Sequence, residues 1–171
     1  MIRESTSAEF PAIGQLMVEV YSQLEGFPDR QDMPEYYEML SNVGALTEKS
    51  GTKIFVALSS EDVLLGAVVY FANMKDYASG GDDIDIEMAS GIRLLAVSDK
   101  ARGKGVGKSL TNYCIQEAQE NGHSQVVLHS TKVMQVAWAM YEAMGFQRSP
   151  DLDFELHGFS IYGFRLSIKN G

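Results

Sequence analysis

The chain has 171 residues, 45% hydrophobic and 22% charged, with a formal net charge of −9. That balance fits one globular domain over residues 1–171 and excludes a disordered or fibrous chain. The negative charge argues against a general nucleic-acid binder. No apolar run approaches the roughly 20 residues of a membrane span, and the opening MIRESTSAEF lacks the apolar core of a signal peptide.

In chain order, residues 1–4 read as a short edge strand. Thr6-x-x-Glu9 is a capping-box signature, opening a helix with Ile13, Leu16, Met17, Val20 and Leu24 at helical spacing. EGFPDRQDMP is a loop, and residues 35–49 read as a second helix. TKIFVALS and VLLGAVVYFAN, joined by SED, read as an antiparallel hairpin. Residues 74–91 are too polar and glycine-rich for core and read as a long loop, a feature often tied to function. IRLLAVS is a strand, 106–121 a helix ended by Gly122, QVVLHS a strand, and 133–144 a helix ended by Gly145. The last segment closes as a hairpin turning near His157 and Gly158. The order β-α-α-β-β-β-α-β-α-β-β predicts an α/β domain, a mixed sheet covered by helices.

Charge is unevenly spread. Residues 1–91 carry 5 Lys+Arg against 16 Asp+Glu, and residues 92–171 carry 9 against 7. A cationic ligand on one side and an anionic one on the other would explain the division, as would a plainly solvated acidic surface. Cys114 is the one cysteine, so no internal disulfide forms and a reducing, cytoplasmic setting is the simple expectation. No histidine has metal-ligand spacing, and no metal site is expected. Oligomeric state stays open, a homodimer included.

The most informative stretch is AVSDKARGKGVGKSL, residues 96–110. A strand leads into it and a helix leaves it, so free N–H groups and the positive end of a helix dipole face whatever binds there. The ATP-binding pattern G-x-x-x-x-G-K-[ST] fails by one residue, because the position five before Gly107 is Arg102. G-x-G-x-x-G fails as well. R-x-x-G-x-G fits, from Arg102 to Gly107.

With LLAVSDKARGKGVGKSL, the later strand VVLHST and the helix AWAMYEAMGF, the chain resembles the GNAT superfamily of acyl-CoA-dependent N-acetyltransferases. The resemblance implies a mostly antiparallel sheet of six or seven strands with a splayed central pair and about four helices. It implies that acetyl-CoA is the co-substrate, with Gly103, Lys104, Gly105, Val106, Gly107, Lys108 and Ser109 around its pyrophosphate. Arg102 would fix that loop or touch the phosphates. Backbone groups of Leu95, Ala96 and Val97 would pair with the pantetheine arm. Tyr141 matches the family's general acid, which protonates the departing sulfur. Seven residues before it the family often has an asparagine; here it is Met134, with Thr131 or Lys132 as substitutes.

A lysine-like amine has a pKa near 10.4, and a carboxylate commonly helps remove its proton. Glu87 is the first candidate, with Asp85 and Glu25 as others, though each also reads as a surface charge. His129 and Trp138 read as core residues. The resulting expectation is acetyl transfer to a primary amine of a small molecule or protein, the acceptor being cationic, without nucleic-acid or membrane partners. A non-catalytic acyl-CoA sensor on the same fold is the alternative, and an NTPase built on GVGKS the more distant one.

Overall fold

The computed structural model describes residues 1–77, 86–156 and 158–168. They form β1 (Ile2–Glu4), α1 (Phe10–Ser22), α2 (Pro34–Ser41), β2 (Thr52–Leu58), β3 (Leu64–Phe71), α3 (Met74–Tyr77) and β4 (Ala89–Val97). Then follow α4 (Val106–Glu120), β5 (Gln125–Ser130), α5 (Gln135–Ala143), β6 (Gln147–Arg148), β7 (Phe154–Leu156) and β8 (Phe159–Ser167). The strand order is β1-β2-β3-β4-β5-β8-β6, with β7 on β8. β4 and β5 pair in parallel, whereas β1–β2, β5–β8, β6–β8 and β7–β8 are antiparallel. The expected mixed sheet forms. The one strand beyond those expected, β6, has two residues, too few for a pattern to register.

The chain forms two compact units: Met1–Val69 with Leu94–Thr111, and Tyr70–Arg93 with Asn112–Gly171. In the first, the capping box is made as expected. The Thr6 amide donates to Glu9 Oε1 at 2.8 Å, and Arg3 reaches both oxygens of Glu9 at 2.9 Å. These contacts, Arg3 foremost, hold the Glu9 carboxyl down to about 2. α1 buries Ile13, Leu16, Met17 and Tyr21. Gly14 lets α1 meet α2 backbone to backbone, since a Cβ there would fall on the Ser41 carbonyl oxygen. The helix expected over 35–49 stops at Ser41. Asn42 leaves helical geometry (φ −108°, ψ 31°), and a 3-10 turn continues over Val43–Glu48. Gly44 in that turn lies hard against the Phe10 ring, a tertiary contact invisible to helical periodicity.

In the second unit, β4 starts at Ala89, three residues earlier than expected, pairing Ala89–Ile92 with Gln125–Leu128. Ala-Ser-Gly looks like a loop, yet each residue has a packed role. The Ser90 hydroxyl lies between the Tyr70 hydroxyl at 2.7 Å and His123 Nδ1 at 2.6 Å, and Asn121 donates to Tyr70 at 2.8 Å. Gly91 leaves room for the Tyr77 ring. α3 also falls within the stretch expected to be loop; residues 78–85, including Asp85, lie outside the described residues, as does His157. The terminal hairpin turns where expected, with Leu156 opposite Phe159.

Because a side chain at Gly14 has no room, Gly14→Ala should cost about 1–3 kcal/mol by overpacking, read as a lower urea midpoint at unchanged slope. A second prediction follows from burial, which lowers the pKa of both His123 and His129. Unfolded histidine titrates near 6.5, so below that pH the unfolded chain binds more protons than the folded one. Stability is full above 6.5 and falls as the pH drops through it. Urea midpoints should decrease from pH 7.5 to 5.5, and His123→Gln should flatten part of that slope; a slope equal to wild type would exclude His123 as a source.

Candidate active site

Among the described residues, the β4–β5 pairing ends at Ile92, so the second half of β4 has no strand partner on that edge. Ser98 donates its N–H to the Leu65 carbonyl of β3 at 2.8 Å. Polar groups alternate sides along a strand, so Ala96 also faces β3, and its carbonyl oxygen lies 2.9 Å from where a Gly66 Cβ would be. Leu95 and Val97 therefore turn their N–H and C=O groups to the opposite edge. This corrects the expectation for Ala96: its backbone groups are turned toward β3, and only Leu95 and Val97 can pair a ligand. Leu94, just before them, has φ +59°, a positive angle that is rare for leucine and kinks the strand as a bulge does. The Tyr21 hydroxyl, from the end of α1, donates to the Leu95 carbonyl at 3.2 Å. Tyr37 fixes that end of α1, its hydroxyl bonded to Pro28 O at 2.7 Å and to Tyr21 O at 3.3 Å.

From Val97 the chain passes through a 3-10 turn, Asp99–Ala101, into the glycine loop. Buried Ala101 anchors the turn. Arg102 reaches back to Asp99 at 3.2 Å, both side chains well exposed, which makes it a loop-fixing contact of small worth. Gly103 and Gly105 both have φ +77°, which glycine adopts without strain. No hydrogen bond occupies the N–H groups of Gly103, Lys104 or Gly105 among the described residues. The next three, Val106 to Lys108, belong to the first turn of α4, where N–H groups have no partner in the helix. Ser109 donates back to Gly105 O at 3.0 Å, closing the first turn and withdrawing its own N–H from the set. Six successive donors, with Lys104 and Lys108 exposed beside them, suit a pyrophosphate. Gly66 on β3 lets Val106 and Leu110 of α4 come close to the sheet.

In the second unit, Tyr141 lies in the last turn of α5. The helix ends in a Schellman motif: Phe146 N–H bonds Tyr141 O and Gly145 N–H bonds Glu142 O, each at 3.0 Å, with Gly145 at φ +101°. The Phe146 ring packs edge-on against Tyr141 at 5.7 Å, the apolar contact that accompanies this cap. The sequence YEAMGF is thus a cap that fixes the tyrosine ring. Burial pushes the Tyr141 hydroxyl pKa up, and that hydroxyl has no hydrogen-bond partner among the described residues.

Arg93 and His129 follow Ile92 and Leu128, the last paired residues of β4 and β5. His129 Nε2 donates to Leu152 O at 2.9 Å, and its Nδ1 bonds the Tyr77 hydroxyl. Both nitrogens are committed, as expected of a core histidine. Trp138 packs edge-on against Phe164 and Tyr162, at 4.8 and 5.4 Å. Met134 sulfur lies 3.9 Å from the Ser130 hydroxyl. The buried Thr131 hydroxyl has no partner among the described residues. Glu87 occupies an exposed turn, five residues before Ile92, or about 16 Å of extended chain. Glu25 is exposed as well. Sequence reasoning missed Tyr21, Tyr77 and Arg93, which belong to no motif.

Residues 13–146 match the model of the Acetyltransferase (GNAT) family. The chain belongs to this family. A GNAT-family acetyltransferase from Staphylococcus aureus Mu50 superposes with a TM-score of 0.74, covering 99% of each chain at 16% identity. A putative acetyltransferase from Salmonella typhimurium, solved with its cofactor acetyl-CoA, gives 0.67, covering 100% of this chain and 95% of that one at 15% identity. At such identity these likenesses establish the GNAT fold. A Danio rerio relative, named N-acetylaspartate synthetase, is 36% identical over 99 residues, 57% of this chain and 33% of that protein. The chain spans 24% to 35% of the first curated relatives it matches.

Charge-assisted contacts are worth about 1.5–3 kcal/mol each, so Lys104→Glu and Lys108→Glu should each weaken acetyl-CoA binding by at least about ten-fold in calorimetric titration. Melting temperatures should hold, because both side chains are exposed. Unchanged affinity in both variants would move the pyrophosphate elsewhere.

Proposed function

We propose that this domain transfers an acetyl group from acetyl-CoA directly to a primary amine, through a ternary complex. The observation that carries the reading is the segment from Leu94 to Lys108. It offers a kinked strand edge with outward polar groups at Leu95 and Val97, followed by six N–H donors in a glycine loop and helix start. An amide-bearing arm suits the first part and a pyrophosphate the second. Acetyl-CoA carries both.

In this reading the amine nitrogen attacks the thioester carbonyl carbon, the C–N bond forms, and the C–S bond breaks. An N–H of the β4 edge supports the negative charge on the carbonyl oxygen. Tyr141 gives its proton to the departing sulfur. A thiol of pKa near 8.5 is a tolerable leaving group, and a tyrosine whose pKa is raised by burial stays protonated at neutral pH. His129 takes no part, both ring nitrogens being bonded within the protein. Glu87 has little claim as a direct base from its exposed turn. Before the attack the ammonium gives one proton to water, at a cost of about 4–5 kcal/mol at pH 7 for a lysine-like amine; the second proton, shed by the nitrogen as the amide forms, returns to Tyr141 and restores its hydroxyl.

A small amine acceptor is supported by the relative whose name, N-acetylaspartate synthetase, denotes synthesis of an acetylated small molecule. The acidic balance of residues 1–91 favours an acceptor that arrives as an ammonium ion. The sensor alternative has Met134 in its favour, and it predicts acetyl-CoA binding without release of CoA thiol to any amine.

Tyr141→Phe keeps the ring against Phe146 and removes only the hydroxyl. It should lower kcat by about 10²–10⁴-fold, with acetyl-CoA affinity and melting temperature nearly unchanged; intact kcat would reduce Tyr141 to packing. The same assay run against pH should show kcat/KM rising toward the acceptor's own amine pKa, with Glu87→Gln close to wild type throughout.

A further inference from the structure

The second unit has three arginines, and two of them are neutralised within it. Arg148 grips both oxygens of Asp153 at 2.8 and 2.9 Å, and Arg165 grips both oxygens of Asp151 at 2.7 Å. Arg93 differs. Among the described residues no carboxylate meets it, and its one hydrogen bond runs from Nη1 to the Tyr77 carbonyl at 3.2 Å. Its guanidinium carbon lies 6.0 Å from the centre of the buried Phe71 ring. Arg93 is nonetheless half-buried, whereas the carboxylate-paired Arg102 is exposed.

A cation withdrawn from water without a counter-charge is unfavourable. Arginine carries five N–H donors in a rigid planar fork that matches a carboxylate. With one donor spent on Tyr77 and the ring of Phe71 beneath it, the fork is held in one orientation with donors to spare. Arg93 follows directly on Ile92, where pairing with β5 ends, and directly precedes the kinked Leu94. Arg93 and Tyr141 are both close enough to Tyr77 to act electrostatically on its hydroxyl. The unpaired cation therefore belongs to the same cluster as the proposed acid.

We propose that Arg93 binds a carboxylate of the acceptor, so that the acceptor is an amino acid or similar molecule bearing its acid near the reacting amine. The inference rests on the acetyltransferase reading above. It narrows the acceptor from any amine to a zwitterion, whose ammonium suits the acidic part of the chain and whose carboxylate takes the spare donors of Arg93. Arg93 acts in binding and orientation, with no proton to give or take.

The test measures CoA-thiol release with L-leucine, L-phenylalanine and L-aspartate, the carboxamides of the first two, and isopentylamine and phenethylamine. Wild type should favour at least one acid over its amide or decarboxylated amine by about ten- to a hundred-fold in kcat/KM. Arg93→Met, which keeps an unbranched side chain but removes the charge and the donors, should abolish that preference by raising KM for the acid while sparing the amide. Arg93→Lys should restore part of it, since charge returns without the fork. Acetyl-CoA affinity and melting temperature should be unchanged in both variants. The proposal is overturned if wild type takes amides as well as acids, if Arg93→Met depresses both alike, or if amides or amines are acetylated while none of the acids is. Failure to bind acetyl-CoA, or binding it without acetylating any of the compounds, would instead overturn the acetyltransferase reading.

Discussion

Leu94 holds φ +59° inside a strand that is hydrogen-bonded on both sides of it in sequence. Upstream, Ala89–Ile92 pair in parallel with β5; downstream, Ser98 is tied to Leu65 of β3. A left-handed leucine costs roughly 1–2 kcal/mol, and it persists because these two sets of bonds leave the chain no relaxed path between them. The kink ends one pairing scheme and begins another. It leaves Leu95 and Val97 with outward polar groups and delivers the chain to the glycine loop. The proposed cofactor edge, phosphate cradle and acceptor residue Arg93 all take their positions from this one strand.

The rest of the machinery is held by local caps. The Schellman motif at Gly145 aligns Tyr141 and Phe146 within six residues. The same device at Gly122 places His123 for its bond to Ser90, with His123 N–H on Ala118 O at 3.0 Å. On α1, the Tyr37 hydroxyl fixes the backbone end from which Tyr21 reaches Leu95. Each device trades a flexible loop for a short set of directed hydrogen bonds, so a side chain that must act on a ligand starts from one orientation.

The contrast among the arginines shows how stability and function divide. Arg148 and Arg165 carry aspartate partners from the turn at residues 150–153, pairs that lower the carboxyl pKa of Asp153 and Asp151. Such pairs serve the fold. Arg93 contributes less to the fold: half-buried, it makes one hydrogen bond to a carbonyl and lies over the Phe71 ring, and the proposed acceptor carboxylate would take its remaining donors.

By itself the sequence determined the order of elements apart from α3 and β6, the loop from Arg102 to Gly107, the cap at Gly145 and the tyrosine before it. These features are local: capping, positive-φ glycines and apolar periodicity act within a few residues, so they are readable along the chain. Tertiary structure alone decided that Ala96 turns to β3, that Ala89–Gly91 is strand, that residue 41 ends a helix, and that Tyr21 meets Leu95 across 74 positions. Those outcomes depend on neighbours brought together only by folding. Gly91 and Ser90 look like loop until Tyr77 and His123 pack on them, and Arg93 looks like any surface cation until the described residues around it prove to include no acid.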